Sequence, residues 1–350
     1  MAAPSRILTV NAGSSSLKLR VLDGDDEIVR SRDAGALDDA AALRGELEAI
    51  LAEGEVDAAG HRVVHGGPDF TEPTRIDAGV EADLDRLADL APLHNPPAVA
   101  AIRALEALRP GLPAVACFDT AFHATIPVAA STYAVPASWR ERWPLRRYGF
   151  HGLSHAYASR RAAELLGRPP AELRLVTAHL VAGASLAAVA GGRSVDTTMG
   201  FTPLEGLVMA TRSGSVDPGL LLWVQRHGDL DPDAVERELD RASGLLALSG
   251  RSGDMREVLA GADAGDQRCQ LAFDVYIHRL VAAIAAMAAA MGGLDALVFT
   301  GGVGENSPRV REAAAAGTAF LGEGAAEPLV VAAREDIEIA RQVRATLAGP

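Results

Sequence analysis

Residues 8–22 read LTVNAGSSSLKLRVL, and the fold class follows from how this stretch is parsed. Leu8–Val10 and Leu17–Leu22 are apolar runs of strand type. Residues 11–16 then form a hairpin turn, with Asn11 and Gly13 where a tight turn favours them. The stretch has neither the long apolar core nor the small-residue cleavage site of a secretory signal. It lacks the GK[ST] ending of a Walker loop, and no GxGxxG opens a helix. A strand–turn–strand carrying three serines, Ser14 to Ser16, and then Lys18 needs another explanation.

Lys18 is the only lysine among 33 lysines and arginines. A chain this biased has replaced lysine almost everywhere else. The ammonium is a compact point charge of the kind found beside phosphates; the other reading is a leftover on a solvated strand. The 350 residues suit two domains of ordinary size better than one. A hydrophobic share of 49%, a net charge of −13 and a pI near 5.2 supply core and argue against a nucleic-acid groove or an anionic membrane surface. Two cysteines, Cys117 and Cys269, form no disulfide framework and suit a reducing cytoplasm. The longest apolar tract, residues 280–294, reads as a buried helix too short to span a bilayer. A soluble cytoplasmic protein is expected.

Short apolar runs alternate with helical patterns, the signature of an α/β protein. Strands are expected over residues 60–64, 114–118, 173–177, 185–190 and 296–300. Helices are expected over 97–108, 154–166, 232–239 and 275–291, while 23–57 is acidic and poor in strand signal. Polar motifs gather after the strands, where α/β sheets bind ligands. In FTGGVGEN (299–306), Gly301, Gly302 and Gly304 allow close backbone approach to a ligand. His61/His65 and His151/His155 are each four apart, the spacing of a zinc pair on a helix. HRVVH reads as strand, however, where four residues span roughly 13 Å. HGLSH has no intervening glutamate. No GxSxG elbow supports a serine hydrolase.

Taken in order, NAGSSSLK, HRVVHGG, LAPLHNPP, FDTAFH, RRYGFHGLSH, SVDTTMGFTPLEG, TRSGSVDP, SGDMR and FTGGVGENS closely resemble the acetokinase (acetate/propionate kinase) family. The resemblance runs from Leu8 to about Ser307 and recurs at REDIEIARQV (334–343). It implies an actin-like, ribonuclease-H-like α/β fold of two lobes about a central cleft. The N-terminal lobe would take residues 1–120, completed by 337–350, and the nucleotide-binding lobe residues 121–336. The implied reaction is reversible transfer of the ATP γ-phosphoryl group to acetate or propionate with Mg²⁺ or Mn²⁺, in a homodimer. By likeness the opening hairpin presents amides, hydroxyls and Lys18 to nucleotide phosphates.

The chemistry assigns the remaining matched residues. A carboxylate acceptor is already ionised at pH 7, with a pKa near 4, so no general base is required. Catalysis then rests on positioning and on cancelling negative charge. Arg62 and Arg212 match positions that fork onto carboxylate and phosphoryl oxygens, and His151 one that donates to the phosphoryl in flight. Asp119 orients the arginines and metal. Asn11 and Glu335 match the metal site, with Asp336 adjacent. Val64, Leu93, Phe150 and Pro203 match the pocket around the substrate methyl. His179, Leu180, Val181, Ala182 and Gly183, with Asp254, Met255, Arg256, Gly302, Val303, Gly304, Glu305 and Asn306, match nucleotide-binding segments. His94 and His155 match cleft positions.

Three departures stand out. Val181–Ala182 replaces a Gly-Asn pair that lies against the β- and γ-phosphates; valine should resist the turn's torsion angles and alanine offers no donor. Leu153 and Ser215 stand where threonine and aspartate are usual. The chain is also short between Val21 and Gly60 and between Glu312 and Arg334. Two alternatives accompany the kinase reading: the same machinery with a changed donor or acceptor, or a catalytically weak nucleotide-binding regulator.

Overall fold

The computed structural model describes residues 4–13, 16–35, 39–91 and 95–348. The chain divides into two compact units. The first comprises Met1–Ala124, Phe150–Tyr157 and Arg334–Pro350, the second Thr125–Gly149 and Ala158–Ala333.

In the first unit β1 (Ile7–Ala12) turns back antiparallel on β2 (Ser16–Leu22), so Asn11 stands opposite Lys18. Directly opposed residues of an antiparallel pair project from the same face. β3 (Ile28–Gly35) pairs outside β2, while β4 (Ala58–Val63) and β6 (Ala114–Phe118) add parallel to β1, with short β5 (Thr74–Arg75) at the far edge. The sheet order is β3-β2-β1-β4-β6-β5. Period-two alternation splits the side chains between two cores. Leu8, Val10, Leu17, Leu19 and Ala59 pack beneath α1 (Ala40–Ala52) and α3 (Asn95–Leu108), beyond which α2 (Ala78–Arg86) follows β5. Ile7, Leu22, Ala58 and Cys117 pack against Ile339, Ala340 and Val343 of the C-terminal helix α15 (Glu335–Ala348). A β-carbon on Gly60 would lie 2.4 Å from Ile339, so its absence seats α15. By the same alternation Asn11, Lys18 and Arg62 share the α15 face.

Residues 23–57 hold β3 and α1, a correction to the expected lack of strand. β3 is an edge strand whose Ile28 and Val29 are exposed, so no buried apolar stripe announces it.

The second unit is built on a sheet of order β11-β10-β7-β8-β9. β7 (Arg174–Leu180), β8 (Ala184–Ala190) and β9 (Arg193–Thr197) form an antiparallel meander; β10 (Ala296–Thr300) and β11 (Leu329–Val330) add parallel beside β7. Its helices are α4 (Val128–Ser131), α5 (Ala137–Arg142), most of α6 (Gly152–Leu166), α7 (Pro218–His227), α8 (Pro232–Arg241), α9 (Gly244–Ser249), α10 (Met255–Asp263), α11 (Gln267–Ala290), α12 (Gly301–Asn306), α13 (Pro308–Thr318) and α14 (Glu323–Ala326). The 24-residue α11 begins eight residues before its expected start, because Asp266 caps the Arg268 and Cys269 amides. It is long and apolar enough to cross a membrane by length and composition. It packs, however, on the sheet of the second unit and buries Phe273, Tyr276, Leu280 and Ile284.

Candidate active site

Arg62 and Asp119 arrive at the carboxyl ends of neighbouring parallel strands, β4 and β6. The Arg62 Nε donates to both Asp119 oxygens, at 3.1 and 3.2 Å, and Nη2 donates to Oδ2 at 2.5 Å. Nη1 donates to Asn11 Oδ1 at 3.1 Å, and Asn11 Nδ2 donates to Glu335 Oε2 at 3.4 Å. Asn11 is thus oriented from both ends of its amide. Asp119 is 1% exposed and Arg62 18%, so a fixed cation faces outward over a buried counter-ion. Burial pushes the Asp119 carboxyl above its ordinary value, against Arg62 and the His151 amide, which pull it down. Burial also opposes the Arg62 cation, but Asp119 and Glu335 outweigh it and hold its pKa above the usual value. At the start of α15, Glu335 faces Asn11, while Asp336 accepts from Arg334 at 2.8 Å.

His151 takes φ +56°, one of three non-glycine residues with positive φ among those described. Such backbone costs free energy and gathers at functional sites. The turn is held because the Gly152 amide donates to the Asp119 carbonyl at 2.9 Å. A β-carbon on Gly152 would lie 2.1 Å from that oxygen. Phe150 is buried with its ring edge-on to His65 at 5.5 Å, and its carbonyl lies 3.0 Å from His123 Nε2. His155 is buried with its ring 5.6 Å from that of His123. Val64 is half-buried just beyond β4, and Lys18 is exposed. Leu93 and His94, like Ser14 and Ser15, lie outside the described residues.

In the second unit Arg212 Nε donates to Asp240 Oδ1 at 2.7 Å. Asp240, 28 residues away at the end of α8, is a partner that no sequence motif marks. The Tyr133–Glu205–Arg147 cluster is likewise not expected from the sequence: the Tyr133 hydroxyl donates to Glu205 at 2.6 Å and Arg147 Nη2 at 2.7 Å. This cluster fixes the loop carrying half-buried Pro203. Exposed Ser215 accepts from the Gly206 amide through Oγ, and Leu153 is buried beside Ile7 and Ile339.

A cavity of about 780 Å³ in this unit gathers three of the expected nucleotide segments: Val181 and Ala182, residues 254–256 at the start of α10, and Gly302, Val303 and Asn306. His179 and Leu180 are buried in β7, and Gly183 follows in the turn to β8. Gly304 packs near Phe299. The Glu305 carboxylate accepts from the Gly301 and Ala333 amides, both at 2.9 Å. Tyr276, absent from the sequence reading, lines the same cavity with its hydroxyl buried and without a partner. Its helical position carried no signal beyond core spacing. Val181 does not adopt a positive φ, so the expected torsional conflict is absent. Its Cγ1 packs where Gly301 carries no side chain, since a β-carbon there would stand 2.8 Å away. Among the described residues no group of three or more His, Cys, Asp or Glu side chains is placed to hold a metal.

The profile of the Acetokinase family matches residues 34–336. The chain is 54% identical over 279 residues to an acetate kinase of Gloeobacter violaceus, covering 79% of this chain and 69% of that protein. Among solved structures it is similar to Porphyromonas gingivalis acetate kinase, with 35% identity, a TM-score of 0.90 and coverage of 98% of this chain and 100% of that one. It is likewise similar to a propionate kinase from Francisella tularensis, at 33% identity and a TM-score of 0.90, over 97% and 98% of the two chains.

Proposed function

The chain belongs to the acetokinase family, and from that premise we propose that it phosphorylates acetate or propionate with Mg²⁺-ATP in the cytoplasm, as a homodimer. It is an ATP-dependent phosphotransferase with a carboxyl-group acceptor, built on an actin-like fold. The changed-donor and regulatory alternatives are not favoured. The observation that carries the proposal is the Asp119–Arg62–Asn11–Glu335 chain of hydrogen bonds.

The acceptor carboxylate needs no deprotonation, so Asp119 acts through Arg62 and not as a base. Three of the five guanidinium N–H groups are occupied by Asp119 and Asn11. The other two are left to receive the carboxylate and then the transferring phosphoryl oxygens. His151 donates to the phosphoryl group, and Arg212, oriented by Asp240, neutralises its charge. Val64 and Phe150 are assigned to the substrate methyl in the first unit, and Pro203 in the second. The oxygen donors of Asn11 and Glu335 fit Mg²⁺, a hard cation usually held by one or two carboxylates plus substrate phosphates. When bound it supplies positive charge to the phosphates. The cavity beside Val181 takes the nucleoside, and Lys18, on the α15 face beside Asn11, takes phosphate.

Acyl length tests the acceptor. Acetate and propionate should serve comparably, and pentanoate should lose roughly 10- to 200-fold in kcat/KM, the range for one misfitted group in an apolar pocket. Equal turnover of pentanoate would contradict the assigned pocket. Lys18→Arg should raise the KM for ATP on the order of tenfold, as for loss of a hydrogen bond to a charged group. Unchanged ATP kinetics would return Lys18 to a solvated strand.

The donor loop gives a gain-of-function prediction. Exposed Ala182 lines the cavity and offers no side-chain donor, and Val181 lines it without offering one either. A missing hydrogen bond to a charged group is worth roughly 10- to 150-fold in affinity, so the ATP KM is expected near or above about 1 mM. Val181→Gly with Ala182→Asn should lower it by that factor with the acetate KM unchanged. Tight ATP binding in the parent, with no gain in the double variant, would show that the loop does not limit donor binding.

A further inference from the structure

A second cavity, of about 300 Å³, lies in the first unit between α2 and α3, on the sheet face opposite Arg62. Its volume is at the lower end for small-molecule sites. Part of its wall is apolar, with Ile76, Ile102 and Leu105, and His61 lines it from β4. His61 is 1% exposed, and neither ring nitrogen has a hydrogen-bond partner. Burial lowers its pKa to about 4, so at neutral pH the ring offers one donor and one acceptor, both unmet. A buried polar group left in that state is costly and calls for an occupant.

The same cavity is lined by Arg75 and Arg109, and neither guanidinium has an ion-pair partner among the described residues. Three carboxylates, Asp77, Glu81 and Glu106, also line the cavity, each with a partner of its own. Asp77 caps the Gly79 and Val80 amides, Glu81 pairs with Arg103 at 2.6 Å, and Glu106 accepts from the Gly111 amide at 3.3 Å. An apolar wall segment, two cations without ion-pair partners and an unmet imidazole fit one class of ligand. We propose that this cavity is a binding site for a small organic anion with an apolar body and a hydroxyl group, separate from the acceptor and donor sites. The anionic head meets Arg75 and Arg109, and the hydroxyl meets His61. Because His61 and Arg62 are consecutive on β4 and project to opposite faces, the occupant contacts the strand that carries the catalytic arginine.

The test uses 4-hydroxybenzenesulfonate, which has no carboxylate to phosphorylate, and benzenesulfonate, which lacks the hydroxyl. Binding of each to the full chain is measured by calorimetry in the presence of saturating acetate. The hydroxylated probe should bind about 3- to 10-fold more tightly, as for one neutral hydrogen bond. His61→Phe should abolish that difference. Arg75→Gln with Arg109→Gln should weaken both probes by at least about tenfold, as for hydrogen bonds to a charged group, with unchanged acetate kinetics. Absence of binding by either probe, or binding indifferent to the arginine pair, would overturn the proposal. The arginine variant keeps the test decisive should His61→Phe fail to fold.

Discussion

Arg62→Ala is expected to lower kcat by roughly 10³- to 10⁵-fold, the range for an arginine that stabilises a phosphoryl-transfer transition state, and to raise the KM for the carboxylate as well. Both parameters move because the guanidinium contacts the carboxylate before reaction and the phosphoryl oxygens during it. Asp119 makes the loss severe. It is nearly inaccessible to solvent, and three of its contacts come from Arg62. Removing one partner of a buried pair is worth about 3–5 kcal/mol of stability, so Arg62→Ala should also melt earlier. Arg62→Lys should recover little, because an ammonium cannot span Asp119 and Asn11 as a planar fork does. Steady-state kinetics with acetate, beside a nucleotide-binding control for folding, check this. Near-parental turnover would remove Arg62 from the mechanism.

Arg212→Ala is expected to act mainly on kcat, by about 10³-fold, the lower end of the same range, with the carboxylate KM little changed. The assigned role of Arg212 is to neutralise charge that builds only as the phosphoryl group transfers, and such a group lowers kcat and kcat/KM together. Asp240→Asn should give a smaller loss of the same kind, since it weakens the 2.7 Å contact that aims Nε but keeps the cation. A rise in carboxylate KM without loss of kcat would make Arg212 a ground-state binding residue instead.

The strands β4, β6, β8 and β10 were legible to within a few residues, because buried apolar runs ending in glycine or polar motifs have few other readings. Edge strand β3 was not, since its exposed side chains carry no stripe. The start of α11 was missed because its signal is a single capping aspartate ahead of a polar first turn. At the site, the motif order pointed to Arg62, Asp119 and Arg212, and family likeness alone assigned their roles. Asp240 and Tyr276 were invisible: one lies on an exposed, charged helix and the other looks like core. The torsional conflict expected at Val181 does not arise, because the turn closes through the Val181 amide on the Gly183 carbonyl, without positive φ.

The most direct measurement is hydroxamate trapping of the acyl phosphate formed from Mg²⁺-ATP and acetate or propionate. Acyl hydroxamate is expected in amounts matching the ADP released, and none with Arg62→Ala over the same interval. ATP binding without acyl hydroxamate from either carboxylate would contradict the proposed function.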